Sequence, residues 1–218
     1  MVITPAILPA TYAVLHDVLF SIEGAVHRVQ VDLCDGVFGL EKTWLPYRET
    51  SLPHGFEYEF DLMVRDWRKY VARAKELGAK RIVVHIDHFS ERDVEELLGM
   101  VEHTRIHLGL CVNNDTDINQ FISDVRFIAD HHEHTFVQVM GIRRIGAQGQ
   151  PFDERCLDRI LHIRFSLRSL AIQVDGAMNP ETIVKVRKAG ANGVVVGSYI
   201  FNDYNPIKKI QELERNFG

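Results

Sequence analysis

The chain has 218 residues, 46% hydrophobic and 25% charged, which suits one large α/β core better than two small ones. A formal charge of −5 excludes a general nucleic-acid binder, and no apolar run approaches the roughly 20 residues of a membrane span. Cys34, Cys111 and Cys156 lack paired spacing and the first residues lack a basic signal region, so a reducing cytoplasm is expected.

Two kinds of segment alternate along the chain. Short β-rich runs fall at residues 2–8, 25–32, 56–63, 81–87, 105–112, 135–142, 170–175 and 193–196. Several are continuously apolar, as parallel strands covered on both faces should be. Between them lie segments of helical period. Over 66–77, Trp67, Tyr70, Val71, Ala74 and Leu77 share one stripe; over 90–101, Val94, Leu97, Leu98 and Val101 do so behind Ser90 as N-cap. Gly78 and Gly190 stand where left-handed C-caps belong, and Asn179-Pro180-Glu181 opens a further helix. Eight strands alternating with helices, without a linker, predict a single (β/α)8 TIM barrel over residues 1–218. A doubly wound open sheet is the competing arrangement.

In such a barrel the chemistry sits at the carboxyl ends of the strands. Gln30 and Asp32 are two apart, so both face the same side of strand two. Strand three ends at Asp61, strand four at His85 and Asp87, strand five at Asn113 and strand seven at Asp175. Asp32, Asp61 and Asp175 should converge without a lysine from neighbouring strand ends. That arrangement is costly unless a divalent cation, a retained proton or a bound cationic group neutralises it. Capping of the following helix is the plainer role for each aspartate taken singly. Glycine-bearing loops follow strands six, seven and eight, at Gly146 and Gly149, at Gly176-Ala177, and at Gly197-Ser198. Backbone N–H groups exposed there suit a phosphate.

Other residues carry weaker signals. His85 fits either a substrate contact or a satisfied core histidine. His131-His132-Glu133-His134 precedes strand six and is expected as a solvated loop at the amino-terminal end of the barrel. Cys34 reads as a small buried residue. Trp44 and Tyr47 fit either a cover over the mouth or ordinary packing.

Several stretches resemble the ribulose-phosphate 3-epimerase family. They are Thr4-Pro5-Ala6-Ile7-Leu8-Pro9-Ala10, Val31-Asp32-Leu33-Cys34-Asp35-Gly36-Val37-Phe38, Asp61-Leu62-Met63-Val64 and Gly109-Leu110-Cys111-Val112-Asn113. Val139-Met140 with Gly149-Gln150-Pro151-Phe152, Val174-Asp175-Gly176, and residues 189–201 complete the series. The resemblance implies a divalent metal held by two histidines and two aspartates, the aspartates doubling as the acid–base pair. One removes the C3 proton of a ketose phosphate, the metal steadies the enediolate, and the other returns a proton to the opposite face. The matching aspartates are Asp32 and Asp175.

The histidines are replaced. Gln30 stands at one position and Asp61 at the other; Ala6 and Pro9 replace serines, and Arg143-Arg144-Ile145-Gly146-Ala147-Gln148 replaces the glycine motif of loop six. Three readings follow. A metal is retained by Asp32, Asp61, Asp175 and the Gln30 amide oxygen, with Mg²⁺ or Mn²⁺ favoured over zinc or iron by the all-oxygen set. Alternatively no metal binds, and Arg143 or Arg144 supplies positive charge for a different isomerisation or a cleavage. In the third, the barrel binds a phosphorylated ligand without turning it over. The expected partner is a phosphorylated small-molecule sugar, with no nucleic acid and no membrane; homo-oligomerisation is left open.

Overall fold

Eight parallel strands close in sequence order, β1 to β8, with β1 pairing β8 to complete the barrel. The computed structural model describes residues 1–39, 41–47, 50–147 and 149–218, so Gln148 of loop six lies outside the described residues. The strands are β1 (Val2–Ile7), β2 (Arg28–Cys34), β3 (Glu57–Met63), β4 (Arg81–His85), β5 (His107–Val112), β6 (Thr135–Met140), β7 (Ile172–Asp175) and β8 (Gly193–Val196). All eight expected runs are present, and the open-sheet alternative is excluded by closure.

The helices are α1 (Tyr12–Ser21), α2 (Trp67–Glu76), α3 (Glu91–Val101), α4 (Ile118–His131), α5 (Arg155–Ser166), α6 (Pro180–Ala189), α7 (Ser198–Phe201) and α8 (Pro206–Phe217). Their ends follow from local chemistry. Ser90 and Asp93 form a reciprocal capping box on α3, and Asn179 with Thr182 does the same on α6 behind Pro180. Gly190 closes α6 at φ 113°, a conformation that costs a residue with a Cβ. The described residues between β2 and β3 carry no helix. Gly36, Gly39, Pro46, Pro53 and Gly55 punctuate that stretch too closely for one to form.

The main apolar core lies between the strands and the surrounding helices. Val29, Val31, Leu33, Phe60, Leu62, Ile82, Val84, Leu108 and Leu110 point outward into it. Alternate residues of the same strands point into the barrel, and this interior is largely polar. Thr4, Gln30, Glu59, Asp61, Gln138 and Gln173 are all buried there. A small apolar cluster, Val83, Cys111, Phe136, Met140 and Ile142, fills the remainder. At Gly109 a Cβ would lie 2.4 Å from the Phe136 ring, so this glycine makes room for an aromatic inside the barrel.

The stretch 131–134 differs from expectation. His132 is buried and its Nε2 pairs with the Ile106 carbonyl at 2.8 Å, so it ties α4 to the floor rather than facing solvent. Trp44 is buried against Tyr12 and bonds Pro9, whereas Tyr47 is exposed; neither walls the mouth.

Candidate active site

Parallel register sets the first feature of the mouth. Asp32 on β2 lies opposite Asp61 on β3, and Asp175 ends β7 opposite Met140 of β6. One carboxylate oxygen from each of Asp32, Asp61 and Asp175 lies within 4.8 Å of the others, and all three residues are buried. Each of the three carboxyls also has a hydrogen-bonding neighbour. Gln30 Nε2 donates to Asp32 Oδ1 at 2.8 Å and to Asp175 Oδ2 at 3.0 Å. Asp61 meets His85 Nε2 through Oδ1 at 2.9 Å and accepts from Gln138 Nε2 through Oδ2 at 2.8 Å. Because a carboxylate only accepts, His85 carries its proton on Nε2, leaving Nδ1 without a partner among the described residues.

Two carboxylates bridged by one neutral amide cannot both ionise cheaply. Burial, then the charges of Asp175 and Asp61, hold the Asp32 carboxyl well above the usual carboxylate range. Burial and Asp61 push Asp175 up to about 7. Desolvation pulls His85 down, but the charge and hydrogen bond of Asp61 outweigh it and raise the imidazole. Burial and the nearby aspartates push the Cys34 thiol far up, so this buried cysteine is an inert neighbour.

Above Asp32 and Asp175 opens a cleft walled by Met63, Met140, Ile142 and Met178 and by small residues. Gly146, Gly149, Gly176, Ala177, Gly197 and Ser198 all line it, so the loops after β6, β7 and β8 meet at one place. Gly176 and Ala177 both have positive φ, 103° and 56°, which turns the chain sharply at the end of β7. Gln30, Asp61 and His85 are buried and do not wall the cleft, while Arg143 and Arg144 are exposed and do not line it, although the Arg144 carbonyl accepts from Gln150, which does. The Asp35-Gly36 turn is structural. Its carboxylate accepts from the backbone N–H groups of Val37, Phe38 and Arg65.

The model of the "Ribulose-phosphate 3 epimerase family" matches residues 2–201. The chain belongs to the ribulose-phosphate 3-epimerase family. That membership makes it an isomerase of the epimerase type. A ribulose-phosphate 3-epimerase of Aquifex aeolicus is 30% identical over 192 residues, covering 83% of this chain and 80% of the relative. One from a Synechocystis species is 28% identical, covering 94% and 89%. Among solved structures, a 3-hexulose-6-phosphate synthase covers 100% of both chains at a TM-score of 0.70 and 15% identity. An orotidine 5'-monophosphate decarboxylase from Sulfolobus solfataricus covers 98% and 95% at 0.64 and 16%. At such identities these two structures speak for the barrel alone.

The barrel interior also holds Glu59, Arg81, Gln138 and Gln173, which lie below the strand ends. A signal for two of them was present. Glu59 precedes Asp61 by two residues and Gln173 precedes Asp175 by two, the same spacing that paired Gln30 with Asp32.

Proposed function

We propose that the protein epimerises a phosphorylated ketose at C3, with Asp32 and Asp175 as the proton-transfer pair. The observation that supports this most is the Gln30 bridge. One amide nitrogen holds two buried carboxyls of raised pKa side by side, so together they retain a proton near neutrality. The ionised member takes the proton from C3, and the electron pair moves onto the C2 carbonyl oxygen to give an enediolate. The protonated member then delivers its proton to the opposite face of C3, leaving the pair with its roles exchanged. Gly176, Ala177, Gly197 and Ser198, with Gly146 and Gly149, line the side of the cleft where the phosphate would lie, and their small side chains allow close backbone approach.

Asp32, Asp61 and Asp175 fit a hard divalent cation such as Mg²⁺ or Mn²⁺, because every donor is a carboxylate oxygen and the three converge. His85 and Gln138 orient Asp61 as outer partners of a ligand do. Gln30 turns its nitrogen, not its oxygen, to the carboxylates, so it serves as their brace rather than as a ligand. When bound, the cation supplies positive charge against the oxyanion formed at C2.

The test is solvent exchange. Ribulose 5-phosphate incubated in D₂O with Mg²⁺ or Mn²⁺ should acquire deuterium at C3 by NMR. Asp175→Asn should slow this by about 10²–10⁴-fold while leaving stabilisation by inorganic phosphate intact. Absence of exchange in every ketose phosphate that binds would overturn the proposal.

A further inference from the structure

Beneath the three aspartates the barrel holds a hydrogen-bonded network with one internally consistent direction. It begins at Arg81, near the amino-terminal end of β4, whose guanidinium can only donate. Arg81 stacks on the Phe136 ring at 3.8 Å, pairs with Glu59, and donates through Nη2 to Gln173 Oε1 at 3.1 Å. That last bond fixes which way the Gln173 amide faces. With its oxygen held by Arg81, its two amide hydrogens go to Glu59 Oε1 at 2.7 Å and Gln138 Oε1 at 2.8 Å, one of them shared with Gln30 Oε1 at 3.4 Å. The Gln138 oxygen is therefore occupied from below, and the Gln30 oxygen faces the same donor through the longer contact. Their nitrogens point upward, onto Asp61 in one branch and onto Asp32 and Asp175 in the other.

The network thus runs from a group that only donates up to the three aspartates, whose unprotonated oxygens accept from the amides. Reversing Gln173 or Gln138 would set nitrogen against nitrogen on one side and oxygen against the Glu59 or Asp61 carboxylate on the other. Gln30, Glu59 and Gln138 are fully buried and Gln173 nearly so, so water is not at hand to repair a reversed bond. We infer that Gln173, oriented by Arg81, is a positioning residue for the site: it sets the direction of the amides that hold the three aspartates. It touches no reacting atom and acts through Gln30 and Gln138. The kinetic part of this inference rests on the epimerase reading above; the network itself does not.

A residue swap tests it. In Glu59→Gln with Gln173→Glu the floor keeps the same groups, volume and charge, and Arg81 still finds two acceptors. The carboxylate at position 173, however, now competes with the aspartates for the Gln30 and Gln138 N–H groups. The swapped protein should keep its stabilisation by inorganic phosphate and its KM for ribulose 5-phosphate, while kcat falls roughly 100-fold, as for a misplaced catalytic group. Gln173→Met, which withdraws the donor without imposing the opposite direction, should lose roughly tenfold in kcat, less than the swap. A role in packing alone predicts the reverse ranking, because the swap preserves shape and polarity and the methionine does not.

A spectroscopic arm is independent of turnover. In ¹⁵N-labelled wild-type protein, the side-chain amide of Gln30, assigned by its loss in Gln30→Met, should show two protons protected from solvent exchange. At least one should lose protection or shift upfield in the swap. Equal kcat in swap and wild type, or unchanged Gln30 amide signals, overturns the inference. Should the swap fail to bind phosphate, Gln173→Met decides, and unchanged kcat there overturns it. Wild-type protein without C3 exchange, but with the protected amide and its response to the swap, would remove the epimerase reading and leave the network standing.

Discussion

A residue with a Cβ rarely adopts the left-handed conformation, yet Ala177 does so next to a glycine that requires it. Gly176 has no alternative, since a Cβ there would meet Ile142 at 2.8 Å in addition to its positive φ. Ala177 has φ 56° and only the conformational penalty. Ala177→Gly should therefore be neutral to stabilising, by up to about 1 kcal/mol once the extra entropy of glycine is subtracted. Gly176→Ala should cost about 1–3 kcal/mol through strain and overpacking. Urea midpoints of both variants check this, and a stabilised Gly176→Ala would show that the turn is not held as described. The phosphate should bind the first variant normally and the second more weakly. At this scale the sequence revealed which residues meet and not how they face. Asp32, Asp175 and the small residues of the cleft were legible from their places at strand ends. The Gln30 side chain was legible too, but the choice between its oxygen and its nitrogen depends on Gln173, which is distant in sequence.

Elements place these residues, and the β6–β7 junction does so with little tolerance. The Gly141 N–H donates to the Asp175 carbonyl at 2.6 Å, and a Cβ on Gly141 would lie 2.4 Å from the Gly176 carbonyl oxygen. Gly141→Ala must push the end of β7 away from β6, moving Asp175 and the turn behind it together. Turnover should drop by roughly 10²-fold with phosphate affinity weakened as well. Unchanged kinetics would show that the junction can shift without consequence. Strand existence was readable because outward-facing Val, Ile and Leu recur at every second residue, while the expected runs overshoot at several ends, where backbone pairing and not hydrophobicity decides the limit. The stretch between β2 and β3 and the burial of His132 were less legible for a related reason. Both depend on contacts with other segments, Thr43 holding the Asp32 carbonyl in one case and the Ile106 carbonyl held in the other.

On the scale of the whole molecule, the apolar core outside the barrel lets its interior carry groups that oppose folding. Glu59, Asp32, Asp61 and Asp175 are buried together, with Arg81 paired to Glu59 and His85 to Asp61. The cost of Asp32 and Asp175 must then vary with pH. In the unfolded chain Asp175 ionises near its ordinary 3.8, whereas in the folded metal-free protein it holds its proton up to about 7. Between those values the folded state binds more protons, so stability is greatest at the acidic end and declines as pH rises. Asp32 is shifted the same way, and the raised His85 loses its favourable pairing in the same direction. With metal removed by EDTA, the urea midpoint should fall between pH 5 and pH 8. Asp175→Asn, which has no such proton to release, should fall less and be the more stable protein at pH 8. Saturating Mn²⁺ should flatten the wild-type dependence, because a dication among the aspartates favours their ionised forms and raises stability most where they are ionised. A wild-type midpoint that rises over this range faster than that of Asp175→Asn would mean that the carboxyls are ionised at no cost. The amide network would then neutralise them more completely than burial and mutual repulsion allow.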